Sequence, residues 1–491
     1  MIDEGQVTIR NAGFLLTQRG FHILGSLLFA VLVPRLMGPN NYGRYALITS
    51  LYFWFMILSD LGFPQIMGRY VPLFILQGEK EKLQKFFSNL LTLSLVSGAL
   101  SGCFYLLFAS LCLPDLDLFL FLMMATTIFV RAATHPFFTL FLGLNQAALW
   151  GMGEIFRHGL TIVTVIVGFY LGGLQGACLG LFLTELVVLS IGIGWGKSYF
   201  SWKDLCLDLR YLLPYLRFGF MFFAFNLLAT AFQYSGEILI RFFYPDYAQV
   251  AYFGLAYHVF HTVSVFIPQL TIAFAPFMVT LLAQGETKIL KQWIEQLIKW
   301  LTVGGVIAFF SVLLLGNDLV LLVLGAAYQP VAINLLPLSL MLCVQVLSNV
   351  GILLTIVYNC PKIAVMAAGV RLVAMLIFGP LLIARWGSWG GCLAVLAASL
   401  IFAGYLTWRM QGIVTYSLQK WALAIALGLP FLSLLWLQSS WMMNCALYSI
   451  FVVGYVSLLL FLRIITLGEL KTVWRGIDPR RRISDLKLQE R

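Results

Sequence analysis

Residues 173–179 read GLQGACL and residues 387–393 read GSWGGCL, so two glycines, a cysteine and a leucine recur 214 residues apart. The same distance separates two further matched pairs, Arg157 and Arg371, and Asn145 and Asn359. Arginine is rare inside apolar segments, which makes the match informative. The spacing therefore predicts an internal duplication, a feature that decides the fold when it is present.

Shorter matches extend the duplication toward the N-terminus of each copy. A shift of 206 residues relates Arg35 and Pro39 to Arg241 and Pro245. A shift of 204 residues relates Pro64, Gln65 and Pro72 to Pro268, Gln269 and Pro276. The offset covers six predicted helices, an even number, so both copies enter the membrane in the same direction. We expect a pseudo-two-fold axis along the membrane normal.

The composition requires a membrane. Of the 491 residues, 61% are hydrophobic and only 10% are charged, whereas a soluble domain has roughly 25% charged residues. Long unbroken apolar runs favour helices of about 20 residues over the short alternating strands of a membrane barrel. The fold class predicted is an all-α polytopic membrane protein.

Cutting the chain at polar, proline and glycine positions predicts about fourteen transmembrane helices. Their ranges are 14–36, 43–63, 86–112, 116–138, 147–171, 174–195, 212–235, 250–283, 297–316, 332–358, 362–384, 388–409, 418–437 and 442–464. The predicted domains are two six-helix bundles, two extra helices and a basic tail, at residues 1–205, 206–415, 416–466 and 467–491.

The distribution of basic residues predicts the orientation. With the N-terminus inside, 24 of the 31 Lys and Arg residues fall on cytoplasmic segments, as the positive-inside rule requires. We therefore expect a protein of the bacterial inner membrane with both termini in the cytoplasm. The net charge of +11 then reflects topology and contact of the tail with anionic lipid, with no nucleic acid partner.

Catalytic and metal-binding patterns are missing from the sequence. The eight cysteines are dispersed without a C-x-x-C pair, and we find no Ser/His/Asp, metal-ligand or phosphate-loop pattern. The sequence therefore predicts no catalytic residues, no metal site and no cofactor.

Ionisable residues inside the predicted helices point to function, because each costs about 2.5–3.5 kcal/mol at mid-membrane unless it is paired or faces water. Helical spacing puts Arg19 beside His22, and Arg131 beside His135. The candidate substrate contacts are Arg19, His22, Arg131, His135, Arg157 and Arg371. Because Arg157 and Arg371 recur in both halves, a shared packing role or a tie between the bundles is the alternative for these two. Arg19 has no acidic neighbour on its helix, so its counter-charge is either a bound anion or, if it snorkels, lipid head groups.

Acidic residues and prolines supply further candidates. Glu154, Glu185 and Asp60 are candidate ion-coupling residues, with pairing to nearby Arg157 and His158 as the alternative for Glu154. His258 and His261 share a helix face, where interhelical hydrogen bonding is the alternative to metal binding. The paired prolines Pro64, Pro72, Pro268 and Pro276 are candidate gating or hinge positions, or helix ends.

The first helix exit and the second helix resemble those of a known transporter family. The residues that carry the resemblance are VPRLMGP at 33–39, YGRYAL at 42–47 and DLGF at 60–63. With the helix count and the repeat, they resemble the Wzx-like polysaccharide flippases of the multidrug/oligosaccharidyl-lipid/polysaccharide exporter superfamily.

This resemblance implies a flippase that moves an undecaprenyl-diphosphate-linked oligosaccharide from the cytoplasmic to the periplasmic leaflet by alternating access through a cationic central cavity. It also implies coupling to a proton or sodium gradient, contacts with membrane lipids and other polysaccharide-assembly proteins, and a lumen arginine at Arg19. Two rival classes are a drug/cation antiporter of the same superfamily and an integral-membrane glycosyltransferase, polymerase or ligase. The first would need buried carboxylates in the first bundle, and the second a large outer loop.

Overall fold

The computed structural model describes residues 2–200, 205–265, 267–268, 271 and 274–465, and within these ranges it leaves out the side chains of residues 2–17, 19 and 276. The described chain is built of helices joined by short turns, without a strand. Ten helical stretches in it are long and apolar enough to cross a membrane. The predicted all-α polytopic fold is therefore confirmed.

Thirteen α-helices follow one another along the described chain. They are α1 (Ile2–Met56), α2 (Phe63–Leu76), α3 (Lys80–Cys112), α4 (Leu118–Gly143), α5 (Ala147–Gly196), α6 (Leu209–Phe243), α7 (Tyr247–Ser264), α8 (Ala275–Ala283), α9 (Thr287–Val323), α10 (Gln329–Val357), α11 (Pro361–Gln411), α12 (Gln419–Ala426) and α13 (Trp441–Phe461). A 3-10 segment, Leu429–Leu437, connects the last two.

Three of these helices reverse direction at a glycine. The backbone leaves the helical region at Gly38 in α1, at Gly172 and Gly173 in α5, and at Gly387 in α11. Gly38, Gly173 and Gly387 have φ of 72°, 59° and 55°, a conformation that a side chain disfavours. Each of the three helices thus supplies two of the predicted spans, while the total of fourteen spans stays a prediction.

The predicted helix at 250–283 is wrong, and α2 is missing from the prediction. The stretch 250–283 is not one helix, because α7 ends at Ser264 and α8 begins only at Ala275. The helix α2 was not predicted, since its residues lie between two strongly apolar runs. Hydropathy does not detect a break in an apolar run, and it does not detect a short helix at the membrane edge.

The prolines divide by position. Pro64 lies in the first turn of α2, a position that suits proline, so it marks the N-terminal end of this helix. Pro72 lies inside the same helix. Pro268 belongs to a short helical stretch, and the side chain of Pro276, in the first turn of α8, lies outside the described residues. Gating roles for these prolines stay predictions.

The duplication is visible in the backbone. Asn145 and Asn359 both have positive φ, and a Cβ at Gly176 would overlap the carbonyl of Gly168 just as one at Gly390 would overlap that of Leu382. These pairs keep the shift of 214. The hairpins of α5 and α11 therefore share one geometry, with small residues at the closest approach. The division into domains at the predicted boundaries stays a prediction.

The two C-terminal helices pack on α9. Phe310 stacks on Phe451 with ring centroids 4.0 Å apart, and Asn444 donates a hydrogen bond to Asp318 at 2.6 Å. Aromatic stacking and a polar contact together fix α13 against the second half of the chain. Residues 466–491, which contain the predicted basic tail, lie outside the described residues.

Candidate functional site

A cavity of about 370 Å³ lies between the two halves of the chain, bounded by α1 and α5 on one side and by α6 and α7 on the other. Four of the five histidines of the protein line it. They are His22, His158, His258 and His261. Of these, only His22 was predicted to contact substrate; His258 and His261 were noted from the sequence as a pair on one helix face.

Hydrogen bonds hold the histidines in place across helices. His22 Nδ1 lies 2.8 Å from His158 Nε2, which joins α1 to α5, and His258 Nε2 lies 3.4 Å from the carbonyl oxygen of Ser26. A bond between two imidazoles requires one ring nitrogen to donate and the other to accept. The N–H groups of these imidazoles can serve as hydrogen-bond donors in the cavity.

A carboxylate that the sequence analysis missed also lines the cavity. Glu237 on α6 is only 5% exposed, and its Oε2 has no hydrogen-bond partner among the described residues. The predicted helix 212–235 stopped short of Glu237, whereas α6 continues to Phe243. The sequence did contain a signal that the helix continues, because the residues after Glu237 are mostly apolar and read ILIRFF at 238–243.

Two predicted substrate contacts form a network of ion pairs instead of lining the cavity. Arg131 Nη1 and Arg157 Nε each lie 3.2 Å from Glu185 Oε1, and Arg157 also pairs with Glu154. Two arginines thus face two carboxylates, and the charges balance. The alternative of local neutralisation for Glu154 fits this geometry, and the cavity's basic side chains are histidines.

The other predicted residues lie at separate places. His135 Nδ1 is 3.8 Å from Asp60 Oδ1, away from the cavity lining, and Arg371 borders a second, smaller cavity. Arg19 belongs to α1, but its side chain lies outside the described residues. All eight cysteines are free thiols, and no group of His, Cys, Asp or Glu in the described ranges is arranged to hold a metal ion.

Close backbone contacts between the halves lie on both sides of the cavity. Gly43 meets the carbonyl group of Tyr247, and Gly62 meets that of Gly219, whose oxygen is 2.6 Å from the place a Cβ would take. Only glycine allows helices to approach so closely. In the predicted orientation the Gly43 contact lies at the outer end and the Gly62 contact at the inner end.

A carboxylate outside the membrane-spanning segments reinforces the Gly43 contact. Asp115 accepts a hydrogen bond of 2.6 Å from Tyr247 Oη and one of 3.0 Å from Arg241 Nη2. Partial burial opposes its ionisation, but these two hydrogen bonds outweigh that effect and hold the pKa of Asp115 below its ordinary value. The outer contact therefore depends in part on an ionised aspartate.

We expect Asp115→Asn to lower the free energy of unfolding at neutral pH by less than about 1 kcal/mol, because the pair is partly exposed. Since the folded pKa is lowered, the stabilisation is present above the unfolded carboxyl pKa of about 4 and is lost as the pH falls through the folded value. The measurement is Tm at pH 7 and at pH 3 for both proteins. A variant with the same acid sensitivity as the wild type would contradict this role.

Residues 8–282, more than half of the chain, match the family described as polysaccharide biosynthesis protein. The chain belongs to this family. A comparison with proteins of curated function gave no match.

Solved structures of membrane transporters share the fold. An inward-facing multidrug resistance MATE family transporter of the MOP superfamily has a TM-score of 0.69 at 15% identity, covering 80% of this chain and 94% of its own. The lipid II flippase MurJ, in an inward closed conformation, has a TM-score of 0.66 at 15% identity, covering 92% and 100%. A mutant form of the Vibrio cholerae MATE transporter VcmN has a TM-score of 0.57 at 14% identity, covering 84% and 99%.

The predicted resemblance to a Wzx-like flippase of this superfamily is confirmed by the family match and the shared fold. The predicted class of a membrane transporter agrees with the fold that the chain shares with these transporters. The chain is a multi-pass membrane protein of the polysaccharide biosynthesis family.

Proposed function

We propose that the protein is a flippase that moves an undecaprenyl-diphosphate-linked oligosaccharide from the cytoplasmic to the outer leaflet of a bacterial inner membrane, with both termini in the cytoplasm. The observation that carries the proposal is the cavity lined by histidines between the two halves. The family's link to polysaccharide biosynthesis and the fold shared with the lipid II flippase support it.

The cavity suits the charged part of such a lipid. A diphosphate needs several hydrogen-bond donors, and the imidazole N–H groups provide them. A volume of about 370 Å³ is in the range of small-molecule sites, roughly 300–1,000 Å³, and accommodates a diphosphate and the adjoining sugar. The remaining glycan and the lipid tail would extend beyond it.

The proposal keeps six residues as substrate contacts, and they differ in how close they lie to the cavity. They are Arg19, His22, Arg131, His135, Arg157 and Arg371. His22 lines the cavity, while Arg131 and Arg157 would reach the substrate only in a conformation that separates them from Glu154 and Glu185. Alternating access supplies such conformations, because the two halves move relative to each other around the site.

The protein's coupling to an ion gradient is proposed to involve Glu237. A buried carboxylate facing water in a membrane cavity binds a proton or a sodium ion readily, since its negative charge is otherwise costly. Outward movement of a negative head group is further favoured by about 2.3 kcal/mol per charge per 100 mV of inside-negative potential. Glu154, Glu185 and Asp60 are the other proposed coupling residues, each already beside a basic side chain.

We expect Glu237→Gln to abolish the stimulation of transport by a proton or sodium gradient, because the amide cannot change charge. The measurement is the initial rate of flipping in proteoliposomes with and without an imposed gradient. Glu286→Gln, at an exposed position before α9, is the matched control and should keep the stimulation. Stimulation that survives in Glu237→Gln would exclude this glutamate from coupling.

The alternative function is a drug/cation antiporter. The buried carboxylate of Glu237 favours it, because a cationic substrate would pair with that carboxylate. Two measurements separate the functions. If the protein is a flippase, loss of the gene leaves lipid-linked glycan on the cytoplasmic leaflet, and the purified protein moves that lipid across vesicles. Uptake of organic cations without lipid flipping would overturn the proposed function.

A further inference from the structure

Arg371 is an interior arginine whose contacts leave its charge unbalanced. Its Nη2 donates a hydrogen bond of 2.9 Å to Ser399 Oγ, and its guanidinium carbon lies 3.8 Å from the ring centroid of Phe232. Its Nε is buried without a hydrogen-bond partner, and it forms no salt bridge with a carboxylate of the described residues. A charge in this position at membrane depth is costly unless something pairs with it.

The first half of the chain shows what pairs with the equivalent arginine. The shift of 214 relates Arg157 to Arg371, and it also relates the three partners of the ion-pair network to positions in the second half. The corresponding residues are Gln345 for Arg131, Ala368 for Glu154 and Ser399 for Glu185. At these four matched positions the first half has two positive and two negative charges, whereas the second half has one positive charge.

The geometry of the contacts is retained although the residue types differ. Arg157 contacts Glu185 at 3.2 Å across the α5 hairpin, and Arg371 contacts Ser399 at 2.9 Å across the α11 hairpin. Both hairpins turn at a glycine of matching conformation. At the positions that match Glu185 and Glu154, the second half has Ser399 and Ala368, so the same arrangement of helices carries less negative charge there.

A small cavity lies where those carboxylates would be. It measures about 80 Å³, and Gln345, Ala368, Arg371 and Ser399 all line it. About 10–15 Å³ is enough for one water molecule, so this space has room for a small ion with part of its hydration. It shares no lining residue with the larger histidine-lined cavity.

We propose that Arg371, Ser399 and Gln345 form a binding site for a small anion, which supplies the negative charge that Glu185 and Glu154 supply in the first half. The guanidinium provides the charge, and the hydroxyl and amide groups provide further donors. The occupant is either a free inorganic anion such as chloride or phosphate, or the phosphate of a transported lipid. Only the second source rests on the proposed function.

The test measures Tm of the purified full-length protein in detergent while chloride replaces gluconate, and separately while inorganic phosphate is added. Binding to the folded state raises Tm, and we expect a rise of about 2–4 °C. A rise with chloride assigns the site to free halide-sized anions, and a rise with phosphate alone assigns it to phosphate groups. No rise with either anion would overturn the proposal.

Variants show whether the rise comes from this site. Ser399→Glu restores the carboxylate of the first half, so its Tm should no longer respond to anions, and Ala368→Glu provides the same test if the first variant does not fold. Ser110→Glu adds the same charge at a site in the other half and should keep the full response. An anion response that persists in both Ser399→Glu and Ala368→Glu would contradict the assignment to Arg371. No lipid-linked glycan is present, so the result is independent of whether the protein is a flippase.

Discussion

Glu185→Ala is expected to lower the free energy of unfolding by about 3–5 kcal/mol, because it leaves a buried arginine pair without its shared partner. Glu185 is only 6% exposed, and one of its oxygens lies 3.2 Å from both Arg131 and Arg157. After the change, Glu154 alone would face two positive charges. Removing one partner of a buried ion pair destabilises the fold strongly, because the other charge stays buried without a partner. Replacing the whole network by apolar residues would destabilise it less.

The measurement is Tm and the yield of folded protein after extraction in a mild detergent, with an expected drop in Tm on the order of 10 °C. Glu79→Ala is the matched control, since Glu79 pairs with Lys82 at an exposed site, and such pairs contribute less than about 1 kcal/mol. Equal Tm values for Glu185→Ala and Glu79→Ala would show that the ion-pair network does not stabilise the fold.

His22→Phe is expected to reduce the initial rate of lipid flipping about 10- to 100-fold, because hydrogen bonds to charged groups contribute about 1.5–3 kcal/mol. The change removes the bond between His22 and His158 and one donor for a diphosphate, while it keeps a ring of similar size in the cavity wall. Leu24→Phe adds the same ring on the exposed face of α1 and should keep the wild-type rate.

Flipping is measured in proteoliposomes from the fraction of lipid-linked glycan that becomes accessible on the outer leaflet. His158→Phe should match His22→Phe, since either change breaks the same pair. A wild-type rate in both histidine variants would remove the pair from the transport route.

Much of the fold could be predicted from the sequence, for reasons visible in particular residues. The glycines of the repeated stretch recur because the backbone at Gly173 and Gly387 needs positive φ, so the repeat marked two hairpin turns in advance. Apolar runs gave both ends of α5 and α11, and the C-terminal end of α3, within a few residues. The break after Ser264 was missed because its flanking residues are as apolar as a helix interior.

The site was harder to predict, because pairing across helices depends on how each helix is rotated. The sequence brought Glu154 close to Arg157 by helical spacing, but Glu185 is 28 residues from Arg157 and reaches it only through the α5 hairpin. Likewise, three histidines reach the cavity from α5 and α7, far from His22 in sequence. Local spacing recovers contacts within a helix, and it does not recover contacts between helices.

The two halves of the duplication differ in how they balance buried charge. The first half neutralises its buried arginines internally, whereas Arg371 in the second half keeps an uncompensated charge. Glu237, also in the second half, keeps a carboxylate oxygen without a hydrogen-bond partner among the described residues. Arg371 and Glu237 both lie in the second half, which we expect to bind ions.

The central claim is that the histidine-lined cavity is the route of the substrate, and chemical blocking of the cavity tests it most directly. Ser26 lines the cavity, and none of the eight native cysteines is among the lining residues in the described part of the chain. Ser26→Cys in proteoliposomes is treated with a charged, membrane-impermeant thiol reagent, and flipping is measured before and after. We predict that labelling stops flipping in Ser26→Cys but not in the wild type, and that lipid-linked diphosphate protects the thiol. Undiminished flipping by fully labelled Ser26→Cys would contradict the account.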